Sequence, residues 1–224
     1  MRVRTKIFPN LDFSTEQIGK ILLGVSLNNR VSNSADSLSQ VFDWTCTHLG
    51  KCDFLVGDFL NRLTYQAFHG LAESDAIQQA MTDGERLISR IDHVAARSAC
   101  LSATIISTAT LMKERVALEK KAYFEFLFRT REPFKRLIED DVAAFIKRRT
   151  TDSRIDESAY SYCIQYELEE LALFEILSER GYTHLVYPGS HLRVMKALVG
   201  KDLRDISPSL ERLTLVEIRL QGSS

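Results

Sequence analysis

The chain has 224 residues, of which 45% are hydrophobic and 26% are charged, the composition of an ordinary globular domain. Its 29 Lys and Arg residues against 30 Asp and Glu residues leave a net charge of -1. This balance excludes a protein that is basic overall, but it leaves room for a local basic surface that binds nucleic acid. With 10 Gly and 4 Pro residues, long disordered segments are not expected, and we predict one domain over residues 1–224.

The sequence has no segment that is typical of membrane insertion or export. The basic residues at 1–8 are followed at once by polar side chains, so we expect no signal peptide. The weakly polar stretch at 99–112 is too short and too rich in hydroxyl groups to cross a bilayer. We therefore expect a cytoplasmic protein with four reduced, buried cysteines. Cys46, His48 and Cys52 match no zinc-binding spacing, so no metal is expected.

The first half of the chain predicts a strand, a helix, a second strand and a long helix. The apolar run at its start ends in polar residues, which is typical of a buried strand in a parallel sheet. Ser34 can cap the helix that follows, and the apolar residues of that helix fall mostly on one side. The predicted elements are a strand over 20–26, a helix over 35–48, a strand over 52–58, and a helix over 73–97 with a break near Gly84.

The second half continues the alternation of strands and helices. The predicted elements are a strand over 102–108, helical sequence over 111–149 with a break before Pro133, a helix over 157–180 ended by Gly181, and strands over 184–187 and 213–220. Strands that alternate with helices in one domain imply an α/β fold. We predict a single Rossmann-like domain with a mostly parallel sheet flanked by helices.

Two strand ends predict the position of a site. In open α/β sheets, ligands bind outside the carboxyl ends of the strands. Ser26 lies at one such end, two residues after Gly24, and the glycine would let a substrate approach the backbone closely. Tyr187 and Pro188 lie at the end of another strand. A serine that caps a turn and a tyrosine that packs in the core remain alternative interpretations.

A helix face carries the second candidate group. Tyr166 and Glu170 are four residues apart on a predicted helix, and Tyr162 extends the same row. A phenol and a carboxylate on one face can hold a substrate ammonium group and transfer protons. The alternative is an amphipathic helix with a half-buried tyrosine and a solvated glutamate. The five histidines have no place in this scheme and are expected to be structural or surface residues.

Nucleotide-binding motifs are missing from the sequence. There is no Gly-x-Gly dinucleotide fingerprint, and the P-loop-like spacing from Gly19 to Gly24 has Val25 where the motif needs lysine. The ATP-binding signatures of class I aminoacyl-tRNA synthetases are missing too. We therefore expect no use of ATP or NAD and no other cofactor.

The ordered candidate segments resemble the tRNA-dependent cyclodipeptide synthases. The resemblance rests on Leu22-Leu-Gly-Val-Ser-Leu-Asn-Asn29, on Tyr166-Glu-Leu-Glu-Glu-Leu-Ala-Leu-Phe174 and on Val186-Tyr-Pro188. It runs from about residue 18 to about residue 190. It implies a fold similar to the class I aminoacyl-tRNA synthetase catalytic domain, without the ATP motifs.

The resemblance also implies an activity and the residues that carry it. The chain would be an aminoacyltransferase that makes a cyclic dipeptide (a diketopiperazine) from two aminoacyl-tRNAs by a ping-pong mechanism. Ser26 would carry the aminoacyl and then the dipeptidyl group. Tyr166 and Glu170 would hold the α-amino group, with Glu170 transferring protons, and Tyr187 would orient the serine and the intermediate.

The same resemblance assigns binding residues. Gly24, Asn29 and Pro188 fall at substrate-binding positions, and family likeness favours a monomer. Asn at the position of Asn29 marks one subgroup and Pro at the position of Pro188 marks the other. We favour the proline subgroup because the strand before Pro188 matches better. The residues that correspond to the tRNA-binding patch of the family are Arg86, Arg90 and Arg97.

Two other functions fit the residues before the resemblance is considered. A serine acyltransferase or hydrolase could act on another ester, although no His-Asp spacing accompanies Ser26. A non-catalytic α/β domain that binds tRNA or protein would leave the candidate residues without a common role.

Overall fold

The computed structural model describes residues 2–9, 19–27, 33–98, 103–150 and 157–221. The described strands are β1 (Arg2–Phe8), β2 (Lys20–Val25), β3 (Cys52–Val56), β4 (Ile105–Ser107), β5 (Tyr182–Tyr187) and β6 (Thr214–Gln221). The described helices are α1 (Ala35–His48), α2 (Asn61–His69), α3 (Glu73–Ala95), α4 (Thr108–Leu111), α5 (Arg115–Thr130), α6 (Glu132–Arg149), α7 (Glu157–Glu179) and α8 (Arg193–Val199).

The strands form one sheet in the order β1-β6-β5-β2-β3-β4. All neighbouring pairs are parallel except β1 and β6, which are antiparallel. This arrangement confirms the predicted α/β fold with a mostly parallel sheet. From β2 the chain moves outward through β3 to β4, and it then returns through α5, α6 and α7 to β5 on the other side of β2. The carboxyl ends of β2 and β5 therefore form a topological switch point, where ligands of such sheets bind.

Helices cover both faces of the sheet. Ile21 and Leu23 of β2 lie in a core that includes residues of α1 and α3. Leu22, which points to the opposite face, lies in a core built with α5, α6, α7 and α8. Every residue of β2 after Lys20 is buried, as a central strand of a parallel sheet requires. The switch point thus lies between two rigid layers.

Helix α3 is continuous, so the predicted break near Gly84 is wrong. The glycine is there for packing: a Cβ atom on Gly84 would lie 2.5 Å from Cβ of Asp58. Asp58 follows β3 and accepts hydrogen bonds from Thr108 Oγ1 at 2.6 Å and from the Ala109 amide at 3.1 Å. Its buried carboxylate therefore joins the end of β3 to the start of α4. The break predicted before Pro133 is present, because α5 ends at Thr130.

The expectation of four reduced cysteines is wrong for Cys46, which is disulfide-bonded. Cys52 and Cys163 are free and buried, and burial raises the pKa of both thiols to about 12. Within the described ranges, no helix combines the length and apolar character that a membrane span needs. The same residues hold no cluster of side chains that could bind a metal ion.

Candidate active site

A cavity of about 530 Å³ opens at the switch point. The ends of β2 and β5 form its floor, α7 forms one wall, and the segment before α8 closes another side. Ser26, Tyr166, Glu170 and Tyr187 all line it. These four side chains come from three separate segments of the chain, and the fold brings them to one place.

Ser26 and Tyr166 are joined by a side-chain hydrogen bond. The end of β2 is fixed from two sides, since Asn33 Nδ2 donates to the Ser26 carbonyl at 2.7 Å and the Gly57 amide donates to the Val25 carbonyl at 3.1 Å. A Cβ atom on Gly57 would lie 3.9 Å from the Tyr166 hydroxyl. The serine is thus held beside a phenol at the mouth of a rigid strand.

Burial raises the pKa of Tyr166 well above its ordinary value, and the nearby Glu170 and Tyr187 raise it further. The hydrogen bond to Ser26 opposes this effect without cancelling it. The phenol therefore keeps its proton at neutral pH. A neutral hydroxyl can donate a hydrogen bond to an oxygen that gains negative charge.

Glu170 lies one turn after Tyr166 on α7. Burial raises the pKa of its carboxyl to about 7. Among the described side chains, no Lys, Arg or His lies within ion-pair distance of it. A carboxyl that titrates near neutral pH can bind an ammonium group in its charged form and can also exchange a proton.

Tyr187 ends β5 directly beside β2. A Cβ atom on Gly24 would lie 3.4 Å from Cδ2 of the Tyr187 ring, so the glycine allows the ring to pack against the strand. Gly189 has a φ of +151°, and a Cβ atom there would lie 3.0 Å from the same ring. The two glycines therefore leave room for the Tyr187 ring, which lines the cavity.

The other predicted substrate-binding residues differ in their positions. Gly24 lines the cavity. Pro188 is buried directly after β5, and its side chain is not part of the cavity lining. Asn29 lies outside the described residues. The subgroup assignment that rests on Asn29 and Pro188 therefore remains a prediction.

The three predicted tRNA-binding arginines are exposed on α3 and just after it, away from the cavity. Arg86 pairs with Asp83 at 3.0 Å. Arg90 Nη1 donates to the Asn33 carbonyl at 2.5 Å, and Asn33 in turn holds the Ser26 carbonyl. Arg97 follows the end of the helix. Arg90 is therefore also part of the support for the end of β2.

A second basic group borders the cavity and was not predicted. Arg148 and Arg149 are exposed at the C-terminus of α6, and both line the cavity. The guanidinium of Arg149 lies 5.2 Å from the ring centroid of Phe145 and 5.8 Å from that of Phe68. These cations lie closer to the candidate site than the arginines of α3 do. The run Lys147-Arg-Arg149 was the available sequence signal.

Two further polar residues of the cavity were missed by the sequence analysis. Glu167 lines it and is 4% exposed, and burial together with the nearby Asp141 and Glu170 raises its pKa well above the ordinary value. His191 also lines it, although the sequence predicted only a structural or surface role for this residue. Burial lowers the pKa of His191 to about 4, although Glu217 opposes the effect, and its imidazole is neutral at physiological pH.

A neighbouring face of α7 carries a buried ion-pair network. Arg62 Nη2 donates to both carboxylate oxygens of Glu169, at 2.8 and 2.9 Å, and Lys121 Nζ donates to Oε1 at 2.8 Å. The guanidinium of Arg62 also lies 3.9 Å from the ring centroid of Phe59. The network ties α7 to α2 and α5 and so fixes the helix that presents Tyr166 and Glu170.

Residues 14–177 match a protein-family model described as cyclodipeptide synthase. The structure of such an enzyme from Fluoribacter dumoffii is similar over 100% of both chains, with a TM-score of 0.83 and 17% identity. A Mycobacterium tuberculosis structure, described as relating cyclodipeptide synthetases to type I tRNA synthetases, covers 89% of this chain and 85% of its own, with a TM-score of 0.70 and 16% identity.

A third similar structure is a cyclodipeptide synthase from Candidatus Glomeribacter gigasporarum bound to Phe-tRNAPhe. It covers 92% of this chain and 89% of its own, with a TM-score of 0.66 and 17% identity. No curated protein sequence matches the chain.

Proposed function

The chain belongs to the cyclodipeptide synthase family, a family of aminoacyl-tRNA-dependent transferases, and we propose that it joins two aminoacyl groups into a cyclic dipeptide through intermediates on Ser26. The observation that carries this proposal is the placement of the Ser26 hydroxyl, hydrogen-bonded to Tyr166, in one cavity with a carboxyl whose pKa is raised to about 7.

The first step is a transfer between two esters. Oγ of Ser26 attacks the carbonyl carbon of the first aminoacyl-tRNA, and the bond from that carbon to the ribose oxygen of the tRNA breaks. The serine proton ends on the departing ribose hydroxyl. Because one ester replaces another, the step is nearly balanced in free energy and needs no ATP.

The second step forms the peptide bond. The bound aminoacyl group would place its α-amino group between Tyr166 and Glu170, where the charged carboxylate holds it as an ammonium. Transfer of one proton to Glu170 frees the amine to attack the carbonyl carbon of the second aminoacyl-tRNA. The bond from that carbon to the ribose oxygen breaks, the ribose hydroxyl takes the proton that the nitrogen loses, and the dipeptidyl group stays esterified to Ser26. The raised pKa of Glu170 suits this exchange, because a carboxyl that titrates near pH 7 can both take and release the proton.

The last step closes the ring. The free amine of the dipeptidyl group attacks its own ester carbon, and the bond to Ser26 Oγ breaks with return of a proton to the serine. Amine and ester are held on one enzyme, so the reaction is effectively intramolecular. Tyr187, which lines the cavity at the end of β5, would orient the ester in this step.

For tRNA binding we propose two basic surfaces. Arg148 and Arg149 line the cavity and would contact the 3′ end of the tRNA, whereas Arg86, Arg90 and Arg97 would contact a more distant part. The similar structure that binds Phe-tRNAPhe supports aminoacyl-tRNA as the partner. We further propose a monomer of the proline-type subgroup that works in the cytoplasm, where aminoacyl-tRNAs are made.

Production of cyclic dipeptides in a bacterium tests the proposal. The chain is expressed, and the medium is analysed for cyclic dipeptides by mass spectrometry. We expect product from the intact chain, none from Ser26→Ala, and an unchanged yield from Ser89→Ala, which makes the same substitution at an exposed residue of α3. A Ser26→Ala variant that makes as much product as the intact chain would refute the role of the serine. Binding of tRNA without any product would instead favour the non-catalytic alternative.

A further inference from the structure

Among the described residues that line the cavity, two carry a buried polar atom without a hydrogen-bond partner. These atoms are Glu167 Oε2 and His191 Nε2. Buried polar groups in folded proteins are nearly always paired, and an unpaired one lowers stability. Neither atom has a place in the chemistry proposed for Ser26.

Other polar residues of the cavity wall already have partners. Thr108 Oγ1 donates to Asp58 at 2.6 Å, and Ser190 Oγ accepts a hydrogen bond from Arg219 at 3.0 Å. Ser26 is paired with Tyr166. Glu170 has no ion-pair partner among the described residues either, but it already has a role in the proposed chemistry. Glu167 Oε2 and His191 Nε2 are the unpartnered atoms that have none.

The surroundings of Glu167 explain why the chain itself does not satisfy it. On α7 it follows Cys163 by one turn, and both side chains face the cavity. Asp141 of α6 acts on it electrostatically, and Asp141 Oδ2 accepts the Val194 amide at 3.0 Å. Leu192 and Met195 lie on the same wall and offer no side-chain hydrogen-bond donor. The raised pKa keeps the carboxyl neutral, and a neutral carboxyl still accepts hydrogen bonds at its carbonyl oxygen.

His191 supplies a second neutral polar group. Its imidazole lies 5.8 Å from the Tyr187 ring, between centroids, and Glu217 is tied to the main chain beside it by accepting the His191 amide at 3.0 Å. Main-chain groups of Val216 and Leu185 hydrogen-bond with the imidazole. A neutral imidazole has one ring nitrogen that can accept a hydrogen bond. Elsewhere the wall is mainly apolar, with Leu55, Leu173 and Leu185 among its residues.

We propose that Glu167 and His191 form the polar end of a side-chain subsite, which selects an aminoacyl-tRNA whose amino-acid side chain donates a hydrogen bond. This inference rests on the proposed function and narrows its substrate class. Discrimination would come from the unsatisfied groups, because a pocket that is built to hydrogen-bond its ligand strongly rejects an analogue without the donor. An aliphatic side chain in this subsite would leave both groups buried and unpaired.

Matched pairs of side chains test the proposal. The probes are stable adenosine derivatives that carry an amino acid in amide linkage at the 3′ position, and the pairs are Asn with Leu, Gln with Met, and Tyr with Phe. Each pair is close in size but differs in hydrogen-bonding capacity. We expect the intact chain to bind the polar member of at least one pair about tenfold or more tightly. Tighter binding of the apolar member in all three pairs would overturn the inference.

Variants of Glu167 link the preference to the residue. Glu167→Leu should remove the preference for the polar member, and Glu167→Gln, which keeps an acceptor of similar size, should retain most of it. Glu85→Leu makes the same change at an exposed residue of α3 and serves as the control. If Glu167→Leu binds with the selectivity of the intact chain, the inference is wrong. Thermal melting shows whether Glu167→Leu folds. If it does not, the pair comparison in the intact chain and in Glu167→Gln still decides whether the polar side chain is preferred.

Products from the bacterial culture separate this inference from the proposed function. Main products that contain at least one residue with an N–H or O–H donor in its side chain would support the inference. Main products from only aliphatic residues and Phe would overturn it and leave the synthase activity intact. A folded chain that binds the polar probes but makes no cyclic dipeptide would support the subsite and refute the proposed function.

Discussion

Helix α7 carries two neighbouring glutamates that differ in charge. Burial favours the neutral form of both, but for Glu169 the hydrogen bonds and charges of Arg62 and Lys121 outweigh it and hold the pKa below the ordinary value. Glu170 has no such partner among the residues that the structure describes, and burial raises its pKa to about 7. One residue type in one helix thus gives a fixed anion on the side that packs and a titratable acid on the side that faces the cavity.

The comparison shows that partners across the fold, not position along the helix, decide what a buried carboxyl can do. A paired carboxylate stabilises the contact between helices but has no reason to exchange its proton. An unpaired carboxyl in a cavity lowers stability and gains reactivity. Three substitutions and one pH dependence test this contrast, and they follow in order of decreasing expected effect.

The largest expected effect is on stability, from Glu169→Gln. The substitution leaves Arg62 and Lys121 facing an uncharged amide, and Arg62 is only 7% exposed. We expect the free energy of unfolding to fall by about 3–5 kcal/mol, as measured by urea denaturation. Glu119→Gln is the control, because the ion pair of Glu119 with Arg115 is solvent-exposed and should contribute about 0.5 kcal/mol or less. Equal stability of the two variants would contradict the contrast.

The next effect is on activity, from Glu170→Gln. The amide cannot hold an ammonium by charge and cannot take its proton, so we expect the yield of cyclic dipeptide to fall about 100-fold. Stability at neutral pH should not fall, because the amide replaces a carboxyl that is already hard to ionise. Mass spectrometry and thermal melting give the two readouts. Normal yield, or loss of yield only through unfolding, would show that Glu170 does not have the proposed role.

The pH dependence of stability should differ between the two glutamates. The pKa of Glu170 is raised from 4.5 to about 7, so the folded state binds the proton more tightly than the unfolded state does. The contribution of Glu170 to the free energy of unfolding therefore falls as pH rises from about 4.5 to about 7. We expect a loss of about 2 kcal/mol, less than the full shift implies because the carboxyl borders an open cavity.

For Glu169 the pH dependence of stability has the opposite sign. Its pKa is lowered in the folded state, so its contribution is present above the unfolded pKa and is lost as pH falls through the folded pKa. Denaturation midpoints of the intact chain and Glu170→Gln, measured from pH 4 to pH 8, separate the two. The difference between the two proteins should grow between about pH 4.5 and pH 7 and then level off. A difference that does not change with pH would contradict the raised pKa.

The smallest effect is expected from Lys120→Met on α5, whose side chain pairs with the C-terminal end of α7. Lys120 Nζ lies 3.0 Å from Glu175 Oε1 and 2.6 Å from Glu179 Oε1, but its side chain is 22% exposed and that of Glu179 is 40% exposed. Solvent screens such pairs, so we expect a loss of about 1 kcal/mol in the free energy of unfolding. Added salt should reduce the difference in urea denaturation from the intact chain. A loss of stability as large as that of Glu169→Gln would mean that solvent exposure does not determine how much these ion pairs contribute to stability.

The sequence predicted the central strands because their signals are local. The strand predicted over 20–26 is present as β2, and the helix predicted over 157–180 is present as α7. Apolar runs and helix stops lie within a few residues of one another and can be read without knowing the fold. The rule that ligands bind at strand ends then placed Ser26 and Tyr187 in one crevice, where the structure has them.

Elements that depend on distant partners were missed. β1 pairs with β6 over the full register from Arg2 with Gln221 to Phe8 with Leu215, and only the partner makes it a strand. α2 begins at Asn61 without a side-chain cap, and its buried Arg62 is explained by Glu169, 107 residues away. No window of sequence around either element contains the group that stabilises it.

The candidate site could be predicted only in part, because some of its residues have local sequence signals and others depend on distant segments. Tyr166 and Glu170 share a helix face and were identified by spacing, and the resemblance to a family grouped them with Ser26 and Tyr187. Glu167 had a weaker signal, since it lies one turn from both Cys163 and Leu171 on a face that is otherwise apolar. His191 had none, because only the fold brings the segment after β5 against the cavity.

The pairing of β1 with β6 also has a consequence for synthesis of the protein. β1, at residues 2–8, has its partner in β6, at residues 214–221, so it stays unpaired while residues 9–213 are translated. Contacts this distant in sequence form slowly, because the chain loses the entropy of closing a long loop before the hydrogen bonds between the strands can form. β6 in turn pairs with β5, so the sheet gains its last two strands only when residues 214–221 leave the ribosome. Until then β5 is an open edge that a chaperone or a second nascent chain can contact.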